Sequence, residues 1–248
     1  MAVYKIFPTK DATLYSTYPS MNTGLDAMLE ASNILATNGN PGVSRYLVEY
    51  DTTEIQDIIN TKISGSDFNI YLKNYISTAQ GINTDVKLEI FTTAQSWNNG
   101  TGYYLDDPKT TDGISWENRN SSGSGVWNMS GSVSGYGYTG SYNSTYVGQG
   151  GGSWFTSSAL VSTVTESFSL RVNKDLELGV KSLVNLWYSG SIPNYGFLVK
   201  LSGSAEFNND EDYQPILKYY SVDTNTIYPP QLEFRWKDYS LYSPSTSS

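Results

Sequence analysis

The side chains that most often carry enzyme chemistry are scarce in this sequence. It contains no Cys and no His in 248 residues. Thiol nucleophiles, disulfides, Ser-His catalytic pairs and most zinc or copper sites are therefore excluded. The next candidates for catalysis are paired carboxylates, and acidic residues cluster in two polar segments. These segments hold Asp106, Asp107 and Asp112 in one case, and Asp210, Glu211 and Asp212 in the other.

Two functions could use such carboxylates. A glycosidase needs two of them on opposite sides of a scissile bond, one with a raised pKa. Both segments are polar loops, where carboxylates stay solvated, so we expect a chain that is not an enzyme. Calcium is the better functional interpretation of Asp106, Asp107 and Asp112, because Ca²⁺ takes about six to eight loop oxygens. Their spacing does not match an EF-hand loop, so a solvated turn is the simpler alternative. No other cofactor is expected.

Aromatic side chains are abundant, at 14% of the chain with 21 Tyr and 6 Trp. Exposed rings of this kind can stack on a sugar or on a partner protein. Tyrosines that alternate with Gly and Ser are also typical of antibody binding loops, so a protein contact is favoured over a glycan site. The tryptophans could instead anchor their segment to the domain. The candidate contact residues are Trp97, Trp116, Trp127, Tyr136, Tyr138, Tyr142, Tyr146 and Trp154.

Charge and hydropathy argue against nucleic acid and membrane partners. The net charge is −9, and an acidic chain repels phosphate, so no nucleic acid partner is expected. There is no apolar run of ~18 residues that could cross a bilayer. The N-terminal residues lack the basic start and apolar core of a secretory signal. We therefore expect no membrane association.

The pattern of apolar residues predicts an all-β fold. Short segments alternate apolar and polar residues and are separated by turn residues, which indicates about nine or ten strands. A jelly-roll-like two-sheet sandwich is the natural arrangement for them. The predicted strands are 2–7, 11–18, 27–33, 44–51, 68–76, 86–94, 167–173, 196–202, 217–222 and 231–236.

Two short helices interrupt the strands. Ile55, Ile58 and Ile59 have helical spacing within residues 51–60, and Asp51 or Thr52 can cap the first turn. A second amphipathic helix is predicted over 180–187, with Trp187 in the core and Gly190 ending it. Residues 77–85 are predicted to be a polar loop.

The last strand has a defined start. Pro229 and Pro230 keep the chain extended and lack amide donors, so ladder pairing cannot begin before Gln231. Leu232, Phe234 and Trp236 then share one face of a half-buried strand.

A long insertion separates the two halves of the predicted sandwich. Residues from about 96 to 158 are rich in Gly, Ser, Asn and Tyr and cannot supply a core of their own. We expect this segment to pack on the domain or on a partner, since loops of this length are usually functional. The prediction is therefore one domain over 1–237 with a C-terminal tail over 238–248.

The order of several motifs resembles the DNRLRE-type β-sandwich module. The motifs are KDATLYSTYPSMNTG, SRYLVEYDTTEI, SWNNGTG, LVNLWYSGSIPNYGFLVKLS and YPPQLEFRW. Members of that family are carbohydrate-binding or adhesive units. Three pieces, SWNNGTG, WYSGSIPNYGFLVK and DTNTIYPPQLEFRW, look more like virion structural proteins of large tailed phages.

The resemblance implies a non-catalytic virion component, used in capsid decoration, the neck, the tail or fibre attachment. Such a protein would be assembled in the host cytoplasm and would bind other virion proteins, with multiple copies in each particle. The alternative is a carbohydrate-binding or adhesion module that recognises a host surface glycan.

Overall fold

The structure is a computed structural model, and it describes residues 1–36, 38–81, 85–121, 123, 125–143, 148–157, 164–168 and 175–238. Within these ranges strands dominate and the helices are short, so the predicted all-β class is confirmed. The strands are β1 (Ala2–Ile6), β2 (Lys10–Tyr15), β3 (Met28–Leu35), β4 (Pro41–Glu49), β5 (Phe68–Asn74), β6 (Ile76–Gln80), β7 (Val86–Thr92), β8 (Ser130–Val133), β9 (Tyr136–Asn143), β10 (Gly148–Ser157), β11 (Val164–Phe168), β12 (Leu176–Gly179), β13 (Phe197–Leu201), β14 (Ile216–Tyr220) and β15 (Gln231–Trp236).

The helices are α1 (Thr52–Asp57), α2 (Lys181–Tyr188) and α3 (Gly203–Glu206), and a π-helical turn (Ile58–Lys62) continues α1. Asp51 caps α1 as predicted, since its carboxylate accepts from the backbone N–H of Thr53 at 2.6 Å. Trp187 lies in the core, as predicted, with its ring centroid 4.6 Å from that of Phe197. In the part of the chain that the structure describes, α2 is the longest helix, and none of the helices could cross a membrane.

Two antiparallel sheets form the sandwich. The smaller has the order β1-β15-β5-β12, and the larger has the order β11-β7-β13-β4-β3-β14-β6, with β2 also paired to β4. Ile70, Leu72 and Phe234 of the small sheet share one buried cluster with Val48 and Val199 of the large sheet. The core therefore lies between the two layers, which confirms the predicted sandwich.

The final strand begins where the prolines allow it. The ladder of β15 opens at the pair Gln231–Lys73 and runs to Trp236–Phe68 against β5, while β1 pairs on its other side. Glu233 on the other face is also buried, and it forms an ion pair with Lys5. The strand is therefore more deeply buried than the predicted half-buried pattern.

Strands β4 and β13 of the large sheet are buried on both faces. Tyr46 and Val48 of β4 face the sandwich core, whereas Leu47 belongs to a second buried cluster on the outer face. β13 behaves in the same way, with Val199 inward and Leu198 outward. Because Leu47 and Leu198 are buried, the outer face must be covered by another part of the chain, and the insertion covers it.

The insertion, which the sequence analysis treated as a long loop, contains a sheet of its own and packs on the domain. Strands β8, β9 and β10 make a three-stranded antiparallel sheet in the order β10-β9-β8. This sheet joins the end of β7 through the bridge between Thr93 and Trp154, and through the N–H of Ala94, which donates to the Ser153 carbonyl at 3.0 Å. The insertion is thus a third layer on the sandwich.

Other departures from the predicted elements are local. The loop predicted over 77–85 is wrong for its first four residues, because β6 runs from Ile76 to Gln80 and pairs with β14. The predicted strand 167–173 starts earlier, with β11 beginning at Val164, and its remainder after Phe168 lies outside the described residues. The helix α3 was not predicted.

A buried carboxylate lies in β2. Asp11 is 1% exposed, and its Oδ2 accepts a hydrogen bond from the backbone N–H of Val222 at 2.7 Å. Burial raises the pKa of Asp11 to about 8, and the nearby carboxylates of Asp223 and Asp26 act in the same direction. The folded protein therefore favours the protonated form of this side chain.

Candidate functional site

The four predicted contact tryptophans are core residues, so the prediction that they offer exposed rings to a ligand is wrong. Trp97, Trp116, Trp127 and Trp154 are 2%, 0%, 1% and 6% exposed. All four belong to the buried cluster between the insertion and the outer face of the large sheet. The other possibility raised by the sequence, that the tryptophans anchor the insertion to the domain, is the one that the structure shows.

A buried arginine explains why so many rings meet there. Arg45 is fully buried on the outer face of β4, and its guanidinium lies 4.9 Å from the Trp116 ring and 5.4 Å from the Trp154 ring. Its Nε donates to Glu206 at 2.6 Å, and Nη1 donates to the Gly151 carbonyl at 2.7 Å. Arg45 therefore links the sandwich, the insertion and α3 in one polar cluster.

Glycine makes the close approach of the insertion possible. Gly151 has φ = 76°, and a Cβ there would lie 2.7 Å from the Trp116 ring and 2.8 Å from Nη1 of Arg45. The glycine-rich segment 148–152 therefore serves packing over the buried arginine.

The candidate tyrosines of the insertion differ in their placement. Tyr136 and Tyr138 are partly buried against the core, and the Tyr138 hydroxyl accepts from Nε2 of Gln95 at 3.3 Å. The backbone of Tyr142 lies in β9, while its side chain is outside the described residues, as is the whole of Tyr146. A contact role for these four tyrosines stays a prediction.

The candidate calcium ligands are not brought together. Asp112 accepts from the backbone N–H and the hydroxyl of Thr101, at 2.9 and 2.7 Å. Asp106 accepts from the backbone N–H of Thr110 at 3.1 Å, and Asp107 is exposed beside them. The hydrogen bond from the Thr101 side chain holds the pKa of Asp112 below its usual value. No group of three or more carboxylates that could hold a metal ion occurs among the described residues, so the calcium prediction is not supported.

The strongest candidate site is a cavity that the sequence did not single out, and we call it the tyrosine pocket. It has a volume of about 390 Å³. Its lining comes from β2, β3, β4 and the loop over 99–112. The lining residues are Tyr15, Thr17, Tyr18, Glu30, Ser32, Ile34, Leu35, Ala36, Gly42, Val43, Ser44 and Tyr104.

Strand register builds the floor of the tyrosine pocket. Ser44 of β4 lies opposite Tyr15 of β2 and also opposite Ser32 of β3. The hydroxyls of Ser32 and Ser44 are 2.8 Å apart, and Ser32 donates to Oε1 of Glu30 at 2.6 Å. Glu30 is only 3% exposed, and its Oε2 accepts from the Tyr15 hydroxyl at 3.4 Å. Lys218, on β14, lies 3.0 Å from the same carboxylate oxygen. The floor is therefore polar, buried and fully engaged in hydrogen bonds.

Aromatic rings form one wall of the tyrosine pocket. The ring of Tyr104 lies 4.8 Å from the Tyr15 ring and meets the Tyr18 ring edge to face, at 6.1 Å and 85°. Such tilted pairs are the favoured geometry of aromatic contacts. Tyr104 remains 44% exposed, so one face of this corner is open to a ligand.

Two asparagines from the motifs quoted above hold the loop that carries Tyr104. The Asn22 side chain donates to the carbonyls of Asn99 and Ile114 at 2.6 and 2.8 Å, and it accepts from the N–H of Gly102 at 2.8 Å. Asn99 donates in return to the Gly24 carbonyl at 2.5 Å. The PSMNTG and SWNNGTG motifs therefore lock onto each other and fix the loop.

The tip of this loop, Tyr103–Leu105, is apolar, exposed and strained. Tyr103 is 52% exposed and Leu105 is 53% exposed, directly beside the tyrosine pocket. Leu105 has φ = 58°, a conformation that costs a residue with a Cβ about 1 kcal/mol or more. Strain of this kind concentrates at binding sites, because the surrounding structure must enforce it. A Tyr-Tyr-Leu run inside a polar loop was the signal in the sequence that could have identified this site.

Comparison with known proteins does not assign the chain to a family. No protein-family model matches it, and no curated protein sequence matches it significantly. The resemblance to the DNRLRE-type module therefore stays a prediction.

Proposed function

We propose that this chain is a non-catalytic structural component of a tailed-phage virion that binds neighbouring virion subunits. The observation that carries the proposal is the exposed tip Tyr103–Leu105, held rigidly beside the tyrosine pocket. Tyrosine and other apolar anchors next to a pocket are typical of the centre of protein interfaces. The phage-like motifs quoted above supply the expectation of a virion, in which many copies would strengthen weak single contacts.

The acidic residues of the two polar loops make local hydrogen bonds, which suits the proposal of a protein that binds. Asp210 accepts from the backbone N–H of Asp212 at 3.0 Å, as a turn residue does. Asp106 and Asp112 serve their own loop in the same way. Side chains that stabilise local turns are poorly placed to work as a pair on a substrate.

A variant of the loop tip tests the proposal. Tyr103→Ser with Leu105→Asn removes both apolar side chains, and Asn tolerates the left-handed backbone at 105. A matched control is Ile227→Ser, which removes an 81% exposed apolar side chain elsewhere on the surface. Each protein would be supplied to phage that lack the wild-type gene, and its copies in purified particles would be counted by mass spectrometry.

We expect the loop-tip variant to be incorporated at least about tenfold less than the wild type, since loss of two interface anchors commonly costs a few kcal/mol. The control should be incorporated normally. Wild-type protein absent from purified particles would refute the virion role. Normal incorporation of the loop-tip variant would show that attachment uses another surface.

A glycan-binding module is the second candidate, and the feature in its favour is the tyrosine pocket with its polar floor. Quenching of Trp fluorescence by sugars would test this poorly, because Trp97, Trp116, Trp127 and Trp154 are buried. Chemical shifts of the pocket residues during titration with neutral and acidic sugars are the direct measurement.

A further inference from the structure

We propose that the tyrosine pocket receives an arginine side chain from a neighbouring subunit. This inference rests on the proposed attachment function and names the chemistry of the partner at that site. It follows from the shape of the cavity, its aromatic corner and the charges at its floor.

The walls of the pocket fit a long side chain with a flat polar end. Ile34 is 38% exposed and shares its face of β3 with Ser32, so it offers apolar contact to a methylene stem. Tyr18 and Tyr104 also line the pocket, and the exposed Tyr104 ring can stack on a guanidinium plane. A volume of about 390 Å³ is large enough for such a side chain.

The charges around the pocket favour a cation over a neutral or acidic ligand. Glu30 lies at the floor, and the partly buried Asp26 accepts a hydrogen bond from the backbone N–H of Tyr104. Among the described residues, Lys218 serves both carboxylates, since it lies 3.0 Å from Glu30 and also acts on the charge of Asp26. The whole chain carries a net charge of −9, so a basic partner surface is also its long-range complement.

The same carboxylates also affect the pKa of the pocket tyrosines. Burial, followed by the neighbouring Tyr18, Glu30 and Asp26, raises the pKa of Tyr104 above its ordinary value. The same two carboxylates contribute to the raised pKa of Tyr15. Burial, the largest cause, disfavours any charge at these positions, whereas the contribution of Glu30 and Asp26 favours a cation over an anion.

Arginine fits better than lysine for a geometric reason. The floor carboxylate already accepts from Ser32 and pairs with Lys218, so a compact ammonium would gain little there. A guanidinium can stack on the Tyr104 ring, and its several N–H donors can reach for the hydroxyl oxygens of Thr17 and Tyr18, which also line the pocket.

The test uses two blocked tripeptides, Gly-Arg-Gly and Gly-citrulline-Gly, which have nearly the same shape but differ in charge. Each would be titrated into the ¹⁵N-labelled full chain at low salt, while the amide shifts of Ser32, Ser44 and Tyr104 are followed. We expect the arginine peptide to bind at least about tenfold more tightly than the citrulline peptide. A Gly-Lys-Gly peptide should lie between the two.

Two variants and one control localise the binding. Tyr104→Ala removes the stacking face on an exposed loop, and Glu30→Gln removes the floor charge, so each should weaken arginine binding about fivefold or more. Tyr4→Ala changes a similarly exposed tyrosine on β1, in the other sheet, and should leave the affinity unchanged. If Glu30→Gln does not fold, the charge comparison in the wild type still decides the question.

Equal binding of the arginine and citrulline peptides, or no pocket shifts with either, would overturn the inference. A neutral sugar that shifts the pocket amides when the arginine peptide does not would also overturn it, and would favour the glycan alternative. Failure of the virion role is distinguishable, because the chain would then be missing from particles while the pocket still prefers arginine. Incorporation into particles without arginine binding would leave the virion role intact and refute only this inference.

Discussion

Replacing Asp11 with Asn should make the stability of this protein much less dependent on pH. The buried carboxyl has a pKa of about 8 in the folded chain, against an ordinary value of 3.8. The folded state therefore holds a proton between these values that the unfolded chain has released. Stability follows the difference in bound protons, so the free energy of unfolding falls as pH rises through this window. Below about pH 4 this contribution is fully present, and above about pH 8 it is lost.

Between pH 5 and pH 7 the change in the free energy of unfolding depends little on the exact pKa of Asp11, because this range lies between the unfolded and folded values. One proton held only by the folded state changes the free energy of unfolding by about 1.4 kcal/mol per pH unit. Between pH 5 and pH 7 the wild type should therefore lose about 2.5 kcal/mol relative to Asp11→Asn. Asn keeps a carbonyl oxygen that can accept from the N–H of Val222, so the variant should still fold.

Urea denaturation at pH 5, 6 and 7, followed by circular dichroism, measures the difference between the two proteins. Titration of all other groups largely cancels in this difference, because they are common to both proteins. The control is Asp107→Asn, at an exposed position of the 99–112 loop, which should stay within about 0.5 kcal/mol of the wild type.

A difference between wild type and Asp11→Asn that stays constant from pH 5 to pH 7 would refute the reasoning. It would mean that Asp11 is ionised in the folded protein despite its burial.

Two further predictions concern the packing that holds the layers together. Arg45→Met should lower the free energy of unfolding, measured in urea, by about 3 kcal/mol or more, because Glu206 then stays buried without its closest partner. Adding Glu206→Gln should recover part of this loss. A loss below about 1 kcal/mol would contradict a buried charge at Glu206. Gly196→Ala should lower the free energy of unfolding by about 2 kcal/mol or more in the same assay. Residue 196 has φ = 82°, and a Cβ there would lie 2.2 Å from the Val48 carbonyl oxygen. The control is Gly179→Ala, because a Cβ at 179 has open space around it. Equal stability of the two glycine variants would show that the backbone near 196 yields at little cost.

Local features of the sequence were sufficient for most of the sandwich. Alternation over 68–74, 86–92 and 231–236 predicts the strands that form there, because a half-buried strand needs that pattern whatever its partner is. The two prolines determine where β15 begins, and Asp51 determines where α1 begins, since each acts on the backbone beside it.

The predictions from the sequence that were wrong share a physical cause. Residues 77–80 carry little alternation, and β6 forms because β14 offers it a partner that lies far along the chain. Trp116 and Trp154 looked like contact residues because their segment is polar, but the outer face of β4 supplies them with a buried arginine. Burial of a side chain depends on which layer covers it, and that is not a local property.

The sequence carries a signal for the exposed loop tip, but it could not reveal the cavity beside it, for the same reason. Tyr15, Glu30 and Ser44 come from three different strands, and only the pairing register brings them to one cavity beside Tyr104. The sequence by itself determined the strand segments, the helix start and the anchoring motifs, all of which depend on neighbours along the chain. The tertiary structure alone decided which rings are buried, which remain exposed and where the charges meet, because those depend on contacts between residues far apart in sequence.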